Sequence, residues 1–146
     1  MAGGRQPTLR DAWAIWTTFL VCAVLGPAYF LWKVNPQAPA PPPPDSGVYA
    51  VIIGFSLVVG GATLLIRYIG ISRPLRTRTL DLTTPSGFQR YFLLCVLNWV
   101  CSMMVAMTGA IMYWANHEAH WVWLFAAVSV GLLLHHKPQG QGLRQG

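Results

Sequence analysis

The tightest group of metal-capable side chains in the sequence is His117-Glu118-Ala119-His120. It resembles half of the zinc-protease pattern His-Glu-x-x-His, which sets two histidines one helical turn apart on one face. Here the second histidine comes one residue early, in a short polar turn. Two imidazoles and one carboxylate could still ligate a metal, but the spacing is wrong and local ligands are too few. The expectation is an interfacial turn with no metal. His135-His136 stands beside Lys137 at the end of the last apolar run. Cations there complement the dipole of a helix C-terminus. Cys22, Cys95 and Cys101 all fall inside apolar runs. An odd number in such places argues against a disulfide framework. The acids Asp11, Asp45, Asp81 and Glu118 all lie at or beyond the ends of apolar runs. No Cys-x-x-Cys-His haem motif, phosphate loop or nucleophile elbow is present. The expectation is a protein without enzymatic activity and without a cofactor.

One polar group stands out inside an apolar run: Asn98, in Leu97-Asn98-Trp99. An amide in hydrocarbon needs a partner. An interhelical hydrogen bond of about 1 kcal/mol is the plain reading; contact with a substrate or quinone is the other, since polar residues inside a membrane cluster at functional sites. No charged residue is expected in a helix core, which counts against an ion pump or proton-coupled transporter. A solute pathway would need Thr18, Ser56, Thr63, Asn98, Ser102 and Thr108 to converge. The doubled hairpin with glycines on helix two is similar in outline to the proteolipid hairpins of rotary ATPases. In size the chain is similar to small four-helix multidrug exporters. Both families rely on an intramembrane carboxylate, which helices two and four lack.

The elements that would carry these residues are apolar runs. The chain has 146 residues, 54% of them hydrophobic and only 10% charged, and a mean hydropathy of +0.45. Soluble domains carry about a quarter charged residues. The reading is an all-α integral membrane protein. Four transmembrane helices are expected over residues 12–34, 48–66, 92–114 and 121–134, as two antiparallel hairpins. The first run exceeds the 7–15 residues typical of a signal peptide's apolar region, so it is read as retained, despite Ala38-Pro39-Ala40. Trp13 and Trp16 mark one interface and Tyr29 and Trp32 the other. Gly26-Pro27 is expected to kink this helix. The last run covers only about 21 Å against a hydrocarbon layer of about 30 Å.

The connections complete the plan. Residues 35–47 hold Pro36, Pro39 and Pro41–Pro44 and read as an extended spacer. Residues 67–90 read as a basic loop carrying Arg67, Arg73, Arg76, Arg78 and Arg90, whose role is topology and lipid contact. Residues 1–11 form a polar N-terminal segment, and residues 135–146 a glycine- and glutamine-rich tail read as disordered. Arg5, Arg10, the five loop arginines, Lys137 and Arg144 fall on one side and Lys33 alone on the other. That asymmetry predicts cytoplasmic termini and a cytoplasmic basic loop. The formal charge of +6 is therefore a membrane signal and not a nucleic-acid one.

In lipid, helices associate by close backbone approach at small residues. The expected packing positions are Cys22 and Gly26 on helix one, Gly54 and Gly61 on helix two, Ser102, Ala106 and Ala110 on helix three, and Ala127 and Gly131 on helix four. The functional expectation is a non-enzymatic accessory subunit or assembly factor of a larger membrane complex, in the bacterial inner membrane. Its partners would be the bilayer and a membrane protein or a second copy. The alternative is a small oligomeric transporter or channel.

Overall fold

The computed structural model describes residues 7–34, 42 and 45–138. Of the spacer expected over 35–47, only residues 42 and 45–47 are described, and Ser46 and Gly47 already belong to α2; Arg5, Arg144 and the tail from 139 lie outside the described residues. Among the described residues the fold is all helical. Helix α1 spans Leu9–Lys33 and α2 spans Ser46–Ile66. A π-helical stretch, Arg67–Ser72, continues α2 into the short α3, Arg73–Arg76. Helix α4 spans Pro85–Asn116 and α5 spans Ala119–His135. Three helical stretches, Leu9–Lys33, Ser46–Arg76 and Pro85–Asn116, are long and apolar enough to cross a membrane. At 17 residues, α5 reaches about 25 Å, short of the roughly 30 Å hydrocarbon layer.

Local chemistry explains where the helices start. Thr8 and Asp11 form a capping box at α1: the Thr8 hydroxyl accepts from the Asp11 N–H at 3.3 Å, and the Asp11 carboxylate accepts from the Thr8 N–H at 2.7 Å. This satisfies two of the orphan donors of the first turn, so α1 begins three residues before the expected boundary. Thr84 caps α4 by accepting from Gly87 N–H at 3.2 Å. Pro85 sits at the first helical position, where its missing N–H costs nothing. The helix then continues through Pro27 in α1 to Lys33.

These starts correct one expectation. Residues 67–90 are not a loop throughout. Arg67, Arg73 and Arg76 lie on helix and Arg90 lies in the second turn of α4, so only 77–84 connects the two helices. Charge density alone does not make a loop, because arginine tolerates helix well. The connection is compact. Leu80 and Leu82 are buried, and a Cβ on Gly87 would collide with the Asp81 carbonyl.

Helix α4 is the hub. It packs on α5, α2 and α1, and α1 also packs on α5. The α4–α5 pair meets most closely at Gly109, where a Cβ would stand 2.8 Å from the Trp121 carbonyl oxygen and 3.0 Å from the Val122 Cα. Only glycine admits that approach. Val105, Met112 and Phe125 form one buried cluster here. A larger cluster surrounds Trp99 and takes in Trp16, Ile71, Tyr91, Cys95 and Leu133.

The remaining packing glycines sit elsewhere than expected. A Cβ on Gly26, Gly54, Gly61 or Gly131 would meet no atom within 4 Å. Ala127 and Cys22 are exposed, and Ala106 and Ala110 half-buried. Of the expected packing residues only Ser102 is fully buried. The glycines among them therefore leave open space instead of meeting a neighbouring backbone within the chain. Gly109 carries the close approach instead.

Candidate functional site

Two polar regions stand at opposite ends of the bundle. The first is built on the α2–π–α4 register. Ser56 Oγ donates to Thr108 Oγ1 at 2.8 Å, and Gly70 faces Leu94. This antiparallel register sets Arg67 level with Leu97 and Asn98. The inward positions of this helix, Thr63, Arg67 and Ile71, are buried and four residues apart. An α-helix over-rotates a four-residue step and the wider π turn under-rotates it. The π stretch thereby keeps Arg67 and Ile71 on the inner face. Arg67 is only 7% exposed, whereas Arg73, Arg76, Arg78 and Arg90 are exposed. This corrects one expectation: Arg67 lies on helix and is mostly buried within the chain, not on an exposed loop.

The C-terminal end of α5 closes the same region. The last carbonyls of a helix have no intrahelical partner. Here two indoles meet that need: Trp16 Nε1 donates to the Leu133 carbonyl at 2.8 Å, and Trp99 Nε1 to the His136 carbonyl at 3.0 Å. Trp16 is thus a buried donor, while Trp13 stays exposed. The indole of Trp99 fixes His136, one residue beyond α5, in the interior. Burial, then the Arg67 guanidinium, then His135 hold the His136 imidazole down at about 4. It is neutral at pH 7. Neither ring nitrogen has a partner. Asn98 is also fully buried, and neither its Oδ1 nor its Nδ2 has a partner. Tyr91 and Cys95, one to two turns before Asn98, share a side-chain hydrogen bond.

From this centre a line of hydroxyls runs along the α2, α4 and α5 interfaces. Thr63, Ser102, Thr108, Ser129 and Ser56 are all buried. Ser102 donates to the Asn98 carbonyl at 2.8 Å, Thr108 to the Met104 carbonyl at 3.1 Å, and Thr63 to the Gly60 carbonyl at 2.7 Å. Ser129 Oγ has no partner. Thr18 is apart from this line: it is exposed and donates to the Ala14 carbonyl on its own helix.

The second polar region is the α4–α5 turn. His117 adopts φ 56°, the left-handed conformation that ends a helix, and stacks on Tyr113 at 5.6 Å. Glu118 accepts from Trp121 Nε1 at 3.0 Å and from Asn116 Nδ2 at 3.1 Å, while its own N–H donates to Asn116 Oδ1 at 2.9 Å. His120 Nε2 lies 3.7 Å from the same carboxylate, in the open. The Glu118 oxygens thus serve the turn itself. Among the described residues no group of three or more His, Cys, Asp or Glu side chains could hold a metal ion.

A third feature is apolar. Cys22 and Gly26 on α1 face Ala106 and Ala110 on α4, with Met103 and Met107 beside them, across a groove of about 320 Å³. The small residues of these helices converge but leave a space between them. Ser129 and Gly109 carried no sequence signal, and Arg67 and His136, read as topological and helix-terminal residues, gave little sign of their burial. One signal was available for Arg67: it follows Thr63 by four residues, on the face that also carries Ser56. No protein-family model matches this chain, and no curated protein or solved structure matches it either.

Proposed function

We propose that this is a non-enzymatic, multi-pass protein of the bacterial inner membrane that works by association, as an accessory subunit or assembly factor of a larger membrane complex. The observation that carries the reading is the outward turn of the small-residue faces. Gly54 and Gly61 on α2 and Gly131 on α5 leave open space where a Cβ would stand. Between helices in lipid, such surfaces allow close approach by another backbone. Both termini and the basic end face the cytoplasm in this reading, on the strength of the arginine asymmetry. The experiment is purification in mild detergent with identification of co-purifying chains. Gly54→Leu, Gly61→Leu leaves the fold intact, because both positions are open, and removes the partner. Reporter fusions at Gln89 and at the C-terminus read out cytoplasm.

A small oligomeric transporter or channel is the second reading, favoured by the buried line Ser56, Thr63, Asn98, Ser102 and Thr108. Flux of protons, sodium or a cationic dye in liposomes, abolished by Asn98→Leu with folding retained, would replace the first reading with this one.

A further inference from the structure

The interior at the basic end holds more hydrogen-bonding capacity than the chain uses. Arg67 is almost wholly buried, yet no ion pair reaches it among the described residues. The four acids of the sequence are all engaged or placed elsewhere. Asp11 bonds Thr8, Asp81 bonds Thr83 in the exposed connection, and Glu118 closes the far turn. Asp45 precedes α2, at the end of that helix remote from Arg67. The buried side-chain atoms without partners here belong to Asn98 and His136 and not to Arg67, so the guanidinium stands at the edge of the buried centre, a cation with no acid beside it. Two further groups share its level in the bundle. Asn98 lies opposite Arg67 through the α2–α4 register, and His136 is tied to the same turn of α4 by the Trp99 indole. The amide of Asn98 and both nitrogens of His136 are buried and unpartnered.

These three side chains have a specific chemistry in common. Arg67 offers a planar fork of N–H donors that matches an oxyanion. Asn98 adds two N–H donors and neutral His136 one. The same two residues also leave acceptors, Asn98 Oδ1 and one imidazole nitrogen. An ionised carboxylate has no proton to give them. A phosphate group does, through its own P–OH or through a hydroxyl on the group that it esterifies.

We propose that Arg67, Asn98 and His136 form a binding site for one phosphate group, supplied by an anionic phospholipid headgroup or by a soluble phosphate. The guanidinium neutralises the charge, Asn98 and His136 read the remaining oxygens, and the π stretch at Arg67–Ser72 holds the arginine inward. Binding there ties the C-terminal end of α5 to the α2–α4 pair. This is independent of whether the outer glycine faces meet a partner chain.

The test uses the full chain, purified and delipidated in a maltoside detergent. Its thermal unfolding midpoint is followed against inorganic phosphate, short-chain phosphatidylglycerol and, as a salt control, sodium chloride. A ligand that binds only the folded state raises the midpoint saturably. The expected result is such a rise with phosphatidylglycerol, inorganic phosphate or both, and none with chloride. Arg67→Met and Asn98→Leu should each weaken the apparent affinity at least tenfold, while Arg76→Ala, at an exposed position, should leave it unchanged. A response to phosphatidylglycerol alone identifies a lipid headgroup, and a response to inorganic phosphate a soluble source. If Arg67→Met does not fold, Asn98→Leu decides. No saturable rise with either phosphate probe, an equal rise with chloride, or full affinity in the variants would overturn the proposal.

Discussion

The two ends of the bundle handle polar groups in opposite ways. At the α4–α5 turn they are exposed or half-buried, and neighbours in sequence satisfy them: Asn116, Glu118 and Trp121 bond one another within a few residues. At the basic end they are buried and brought together from three helices. Among the described residues, the buried side-chain atoms without partners belong to Asn98, His136 and Ser129, and none belongs to the turn. An exposed polar group trades one good partner for another, at little net gain or loss. A buried one left unmatched costs about 1–3 kcal/mol. The turn is therefore built for geometry. The basic end retains groups whose cost to stability asks for another use.

Breaking the link between the ends should have the largest effect. Helices α4 and α5 pack along each other and connect the two ends. Gly109→Leu would drive a side chain into the Trp121 carbonyl and the Val122 Cα, both backbone atoms that cannot swing aside. Overpacking commonly costs about 1–3 kcal/mol, and a backbone clash belongs at or above the top of that range. The variant should lose most of its thermal stability in detergent. Gly54→Leu, with no atom within 4 Å, should melt with the unmodified protein. Equal midpoints for the two would mean that α5 does not approach α4 as described.

Acid should separate the ends next. The folded-state value for His136, about 4, lies below the ordinary 6.5. Between those values the unfolded chain binds more protons than the folded one, so stability rises with pH. The contribution is fully present above about pH 6.5 and is lost as pH falls toward 4. From pH 7.5 to pH 5 the loss amounts to about 2 kcal/mol. His136→Gln should flatten that window. Asp81, whose carboxyl is held down by hydrogen bonds from Thr83, acts in the same direction only at lower pH: its stabilisation is present above the usual carboxylate range and lost below it. A wild-type profile unchanged between pH 7.5 and pH 5 would mean that His136 reaches water.

Asn98→Leu removes an unpartnered buried amide and keeps the volume. In delipidated protein it should leave stability unchanged or raise it by about 1 kcal/mol. Destabilisation beyond that amount would show that the amide has a partner within the chain.

The sequence was legible where the physics is local. Long apolar runs marked the four helices, because spanning length and hydropathy are properties of a segment alone. The helix starts were also written locally, in Thr8-x-x-Asp11 and Thr84-Pro85, though arginine density between 67 and 90 obscured the second. Facing was not legible. The seven-residue spacing of Gly54 and Gly61 holds whether the face turns in or out, and only the packing of α2 on α4 decides it. The same limit hid the buried centre. Arg67 and His136 lie at the ends of apolar runs and read as interfacial, until the π stretch and the Trp99 indole draw them inside.

The smallest effect is expected at the turn, and it is the other half of the contrast. Glu118→Ala removes the acceptor of the Trp121 indole and of the Asn116 amide. Both donors lie where water can replace it, so the net cost should be about 0.5–1 kcal/mol, the usual worth of an exchangeable hydrogen bond. The nearby imidazole adds little, because exposed ion pairs contribute about 0–1 kcal/mol. The αL conformation of His117 and its stacking on Tyr113 do not involve the carboxylate, so α5 should still leave the turn in the same direction. The measurement is the unfolding midpoint of Glu118→Ala beside that of Trp16→Phe. The second change strands the Leu133 carbonyl in the interior at the opposite end, with a cost of about 1–3 kcal/mol. Trp16→Phe should fall clearly further. If Glu118→Ala proves the more damaging, the turn is not a solvated connector, and its carboxylate holds together more of the bundle than its neighbours in sequence.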